Sequence, residues 1–105
     1  MGNTKVLEPG CGDGRLAKDL LQFRFEHIDM FDKCQISINN ILAWKDTVKA
    51  IDRCECSSMA AFRKEELYDV ILMSWVCGYL RKQELKDQLV AWKKWLRKPK
   101  VAKDR

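Results

Sequence analysis

The sequence predicts an α/β domain on a mostly parallel sheet, and three observations carry that reading. Strand-like and helix-like segments alternate along the chain. Val70-Ile71-Leu72-Met73 is apolar without interruption, as a strand covered on both faces requires. A glycine-rich turn, Pro9 to Gly14, stands between the first strand-like and the first helix-like segment.

Lys5 to Glu8 reads as a short strand broken by Pro9-Gly10. From Gly14 the period turns helical, with Leu16, Leu20 and Phe23 at i, i+4 and i+7. His27 to Asp32 reads as a second strand closing on an acid. Residues from about 36 to 50 read as a helix with Ile38, Ile41, Leu42 and Val48 on one face. Arg53 to Ser57 is a short third strand, and Tyr68 to Val76 is the strongest strand signal in the chain. The last helix spans about 82–97, with Leu85, Leu89, Trp92 and Leu96 in one stripe. Glu84 and Asp87 lie in its early turns and Lys93, Lys94, Arg97 and Lys98 in its late turns, matching the helix dipole. Pro99 ends it. Right-handed crossovers would join these strands in one sheet.

The 105 residues have room for a single domain, residues 1–105, and show no repeats or linker. Hydrophobic residues at 47% and charged residues at 33% exclude a disordered polar tail and a membrane bundle. The longest near-continuous apolar run, Val70 to Leu80, is 11 residues, where a bilayer span takes roughly 20. Met1 to Lys5 lacks a signal peptide's apolar core, and Val6 stands where a myristoylation motif has Ser or Thr. Five cysteines, an odd number, lie mostly in or beside apolar stretches. They read as reduced thiols of an intracellular protein, cytoplasmic or nuclear. Cys54-x-Cys56 has the wrong gap for a zinc pair and the chain has one His, so no metal is expected.

The net charge of +5 is unevenly placed. Residues 1–80 carry ten cationic and twelve anionic side chains, whereas residues 81–105 carry ten and three. The basic excess reads first as a solvated helix end, with a nucleic-acid contact through 81–105 as the alternative.

Chemistry concentrates in Val6-Leu7-Glu8-Pro9-Gly10-Cys11-Gly12-Asp13-Gly14-Arg15. Alternate glycines let backbone approach a ligand where any Cβ would clash. A dinucleotide fingerprint spaces its glycines G-x-G-x-x-G; here the spacing is G-x-G-x-G, preceded by Glu8. That difference points to a smaller adenosyl ligand. Seventeen residues past Arg15, Asp32 ends the second strand, where a carboxylate can accept both ribose hydroxyls. Asp29 is the alternative acid, further from the strand's carboxyl end. Trp44, Trp92 and Trp95 read as packing, His27 as a strand-entry residue and Cys11 as small-residue packing.

Together with Tyr68-Asp69-Val70-Ile71-Leu72-Met73-Ser74-Trp75-Val76-Cys77-Gly78-Tyr79-Leu80, these motifs resemble a class I S-adenosylmethionine-dependent methyltransferase. The Trp-Val-x-Gly-aromatic-Leu run is similar to that of the protein α-N-terminal methyltransferases, over roughly residues 4 to 99. The resemblance implies a Rossmann-like methyltransferase sheet of strand order 3-2-1-4, truncated after the fourth strand and its helix. It implies S-adenosylmethionine as cofactor and a protein or peptide N-terminus as substrate. Glu8, Gly10, Gly12, Arg15, Asp32, Lys33, Met59, Ala60 and Ser74 would form the cofactor site, Arg15 on the methionine carboxylate and Asp32 on the ribose. Met59 and Ala60 would border the adenine, and Trp75 and Tyr79 would face the substrate.

Three positions depart from the family's pattern. Ala61 stands in place of an acid, Ser74 in place of a glutamine and Tyr79 in place of a histidine. The family's later strands, with the Asn and Asp that handle the substrate amine, have no counterpart after Pro99. The fourth strand would therefore be an apolar edge, open to a second copy or a partner chain. A non-catalytic relative acting as a partner subunit is the rival to an enzyme.

Overall fold

The structure, a computed structural model, describes residues 4–63, 67–72, 90 and 92–97. Strand β1 (Lys5–Pro9) leads through the glycine turn to helix α1 (Arg15–Asp19) and a 3-10 turn at Leu21–Phe23. Strand β2 (His27–Asp32) is followed by helix α2 (Gln35–Trp44) and a second 3-10 turn, Lys45–Thr47. Strands β3 (Ile51–Cys56) and β4 (Val70–Ile71) complete a four-stranded sheet of order β3-β2-β1-β4, parallel throughout. The strand order is the one expected.

Alternate residues of the sheet face opposite ways, and each face is covered. Val6, Ile28 and Met30 pack with Ala17 of α1, Leu21 of the first 3-10 turn, and Ile38 and Ile41 of α2. Leu7 and Phe31 pack with Phe62 and Tyr68 on the other face, joined by Met59, Ile71 and Trp95. Each fully buried large side chain contributes about 1.5–3 kcal/mol relative to exposure. Central β1 is buried along its whole length, which explains why it shows no polar alternation.

Four element expectations need correction. Leu16, Leu20 and Phe23 do not form a buried stripe: Leu20 is 42% exposed and Phe23 74%, while Ala17 and Leu21 are buried. The helix ends at Asp19, Leu20 leaves helical geometry (φ −132°), and the tighter 3-10 turn shifts the phase. The second helix stops at Trp44, not 50. Leu42 is 49% exposed, and Val48 is buried from extended backbone beyond the helix.

β3 runs from Ile51 to Cys56 rather than Arg53 to Ser57, because Ile51 already pairs with Ile28. In the last helix, residues 92–94 are helical, but Trp95 is a turn and Leu96 forms a parallel bridge to Tyr68. Tyr68 N–H donates to the Trp95 carbonyl (2.8 Å) and Arg97 N–H to the Tyr68 carbonyl (2.8 Å). The sheet margin thus takes up these backbone groups before Pro99. Trp92 and Leu96 are buried as expected, and the expected strand residues 73–76 and helix residues Leu85 and Leu89 lie outside the described residues.

Candidate functional site

The carboxyl ends of β1, β2 and β3 meet at Asp32. Gly10, Gly12 and Gly14 hold φ values of 65°, 59° and 81°, so the turn after β1 coils in a region that side chains disfavour. Two backbone donations stitch this turn to the end of β2. Cys11 N–H reaches the Phe31 carbonyl at 3.0 Å, and Gly12 N–H reaches Asp32 Oδ2 at 2.8 Å. The other carboxylate oxygen, Oδ1, accepts Cys34 N–H at 2.9 Å. Asp32's own carbonyl accepts Ser57 N–H at 2.9 Å, which brings in the loop after β3. Each Asp32 oxygen keeps a lone pair beyond these amides, so a carboxylate fixed in direction can still accept two hydroxyls.

Glycine at 12 and glycine at 14 serve different ends. A Cβ at Gly14 would lie 2.9 Å from Ile41 Cγ1 and 2.9 Å from the Trp44 ring, so Gly14 lets α2 close on the turn. A Cβ at Gly12 would meet nothing within 4 Å. Gly12 presents bare backbone outward.

Glu8 lies behind the turn, 1% exposed. Burial, with a smaller push from Asp32, raises its carboxyl from an ordinary 4.5 to about 8. Its Oε1 is buried and accepts no hydrogen bond from the described residues. An orphaned buried carboxyl oxygen beside a fixed carboxylate and an open glycine suits a ligand group that donates a hydrogen bond. Burial also pushes the Cys11 thiol up, in keeping with a packing role.

The remaining expected residues are distributed around this centre. Arg15 is exposed at the start of α1, its N–H donating to Asp13 Oδ1 at 3.3 Å. Lys33 is exposed immediately after β2. Met59 is half-buried against the Leu7 and Phe31 cluster, and Ala60 is exposed beside it. Their loop is held by stacking of Phe31 on Phe62 (centroids 4.3 Å apart) and by Ala61 N–H to Ser58 Oγ at 3.1 Å. Ser74, Trp75 and Tyr79 lie outside the described residues.

Asp29, the alternative acid, is committed elsewhere. Fully buried, it accepts Tyr68 Oη–H at 2.6 Å and lies 3.5 Å from Lys5 Nζ and 3.8 Å from an Arg53 nitrogen. Burial raises its carboxyl above the usual range in spite of these three partners. The sequence reading missed this buried network, and it missed the Cys34 amide that orients Asp32. The latter had a signal: an Asp two residues before a helix start commonly bonds that amide. His27 enters β2 at the far end of the strand from Asp32, where it meets Asp52 at 3.0 Å.

Comparison with known proteins shows the chain's family and fold. The family model for AdoMet-dependent proline di-methyltransferases matches residues 1–101. N-terminal Xaa-Pro-Lys N-methyltransferase 1-B of Xenopus laevis is 34% identical over 86 residues, 80% of this chain and 39% of that protein. N-terminal Xaa-Pro-Lys N-methyltransferase 1 of Homo sapiens is 32% identical over 90 residues, covering 84% of this chain and 40% of the relative. The chain thus spans about two fifths of the length of these relatives. Phosphoethanolamine N-methyltransferase 1 of Haemonchus contortus, solved with phosphoethanolamine and S-adenosylhomocysteine, superposes with a TM-score of 0.81. At 21% identity, over 90% of this chain and 20% of that one, it shares the fold. The match along nearly the whole chain is decisive: it belongs to the AdoMet-dependent proline di-methyltransferase family.

Proposed function

We propose that the chain binds S-adenosylmethionine at the carboxyl ends of β1, β2 and β3, within an enzyme that methylates protein N-terminal α-amines. The observation that carries this reading is the Asp32 carboxylate, aimed by two backbone amides at the mouth of the glycine turn. Asp32 accepts the ribose hydroxyls, and the Gly10 and Gly12 backbone lies along the methionine portion. Arg15 pairs with the methionine carboxylate, a charge-assisted contact suited to a guanidinium. Glu8 offers its buried carboxyl to the ligand from the end of β1, Lys33 flanks the ribose, and Met59 and Ala60 border the adenine. Ser74, Trp75 and Tyr79 belong to the same proposal on the sequence motif alone.

The cofactor, when bound, supplies a methyl group on a sulfonium. The chain's part is alignment: a donor fixed at several points leaves the methyl carbon facing the acceptor amine, and such positioning accounts for much of the rate in transfers of this kind. The names of the relatives point to substrates beginning Xaa-Pro-Lys. Incubation with methyl-labelled cofactor and an Xaa-Pro-Lys peptide should label that peptide, and its N-acetylated twin should stay unlabelled. Cofactor binding without any transfer would make this chain a partner subunit. Label on both peptides would place the methyl elsewhere than the α-amine.

A further inference from the structure

Two cysteines from different elements flank Asp32. Cys34 caps α2 and Cys56 ends β3; both are exposed and neither is in a disulfide. Cys56 is the register partner of Asp32, and its Sγ lies 3.5 Å from the Lys33 carbonyl oxygen. That oxygen is three covalent bonds from the Cys34 Cα. The bend that returns Cys34 N–H to Asp32 Oδ1 at 2.9 Å holds Cys34 at this strand end. Disulfides form between Cα atoms roughly 4.4–6.8 Å apart, and the Lys33 carbonyl that the Cys56 sulfur touches belongs to the peptide unit leading directly into Cys34. Bridging these residues therefore asks for side-chain rotation and a small loop adjustment, with the sheet intact. The Cys34 thiol also differs from the buried ones. Hydrogen bonds from the Ser37 side chain and the first amides of α2 pull the Cys34 thiol down, whereas burial pushes Cys11 up and Cys54 up to about 11.

We propose that Cys34 and Cys56 form a peroxide-responsive pair whose disulfide weakens binding of the adenosyl cofactor. The binding half of this proposal rests on the cofactor reading above. The Cys34 thiolate attacks one peroxide oxygen, breaking the O–O bond and releasing hydroxide, which takes up a proton to become water. The resulting sulfenic acid is attacked by Cys56; the S–S bond forms, the S–O bond breaks, and a second water leaves with the Cys56 proton. Two thiols are oxidised and one hydrogen peroxide is reduced. The bridge draws Cys34 toward β3, so its amide no longer aims Asp32 Oδ1.

The test is hydrogen peroxide treatment of the full chain, alkylation of remaining thiols and peptide mapping by mass spectrometry. S-adenosylhomocysteine affinity is measured before and after by calorimetry. The expected result is a dithiothreitol-reversible Cys34–Cys56 linked peptide, absent from C34S and C56S. Affinity should fall on the order of tenfold in the oxidised wild type, as for loss of one hydrogen bond to a charged group. C56S should keep its affinity through the same treatment, which separates the bridge from oxidation of Met59. Thiols oxidised without the linked peptide, a bridge that leaves affinity unchanged, or a C56S loss equal to that of the wild type would each overturn the proposal. Should the reduced protein bind no S-adenosylhomocysteine, the cofactor reading and the binding half fail together, while the linked peptide still decides the thiol pair.

Discussion

Asp29 and Asp32 leave the same strand three residues apart and do unrelated work. Asp29 points into the core, where Tyr68, Lys5 and Arg53 surround it. Asp32 stands at the strand tip between two amides. Replacing Tyr68 by Phe removes the donor from a buried carboxylate and should cost about 1.5–3 kcal/mol. Urea denaturation of Y68F checks this, with a lower midpoint and an unchanged slope. Glu8 offers a pH signature. The folded chain keeps the Glu8 proton up to about 8, while the unfolded chain gives it up near 4.5. Its contribution to stability is therefore greatest below the unfolded value and is lost as pH rises through the folded one. E8Q abolishes this titration. Denaturant melts from about pH 5 to pH 9 should show the wild type losing a few kcal/mol relative to E8Q, at up to ~1.4 kcal/mol per pH unit. Parallel curves for the two proteins would mean that Glu8 is ionised in the fold.

At the scale of elements, the last two glycines of the turn should separate folding from binding. A Cβ at Gly14 collides with Ile41 and Trp44 and also meets an unfavourable φ. G14A should lower stability by about 1–3 kcal/mol through overpacking alone. A Cβ at Gly12 has space, so its folding cost is the left-handed backbone, about 1–2 kcal/mol. G12A should nevertheless lose cofactor affinity, because the added methyl stands on the face the ligand approaches. Thermal melts and ligand titrations of the pair check the contrast.

What was legible in the sequence follows the same division. β2 was readable to the residue because it is covered on both sides and closes on an acid at the carboxyl end of the sheet. Asp32 and the glycine turn were readable because spacing alone encodes them. The Leu16-Leu20-Phe23 stripe and the extension of the second helix to residue 50 misled because helical period extrapolates only while the backbone stays helical. α1 lasts five residues and α2 ten. The Lys5-Asp29-Arg53-Tyr68 network was invisible, since it joins four segments brought together only by sheet order.

For the molecule as a whole, strand order decides where the site lies and where the surface is open. β1 runs between β2 and β4, which puts the glycine turn beside the β2 tip. β4 occupies the margin of the described sheet, with Tyr68, just before it, bridged to Leu96. The 95–97 segment covers this margin at Tyr68, and we propose that a second copy of the chain pairs along the stretch of β4 beyond that bridge. Sedimentation over a hundredfold range of concentration should show association, and a monomer throughout would contradict it. The family itself rests on the match across residues 1–101, while cofactor binding rests on Asp32.

The most direct measurement is calorimetric titration of S-adenosylhomocysteine into the wild type and into D32N, with circular dichroism to confirm that both are folded. The wild type should bind, and D32N should bind at least about tenfold more weakly, as loss of hydrogen bonds to a charged acceptor implies. No heat from the folded wild type at millimolar ligand, or equal affinity in D32N, would contradict the account.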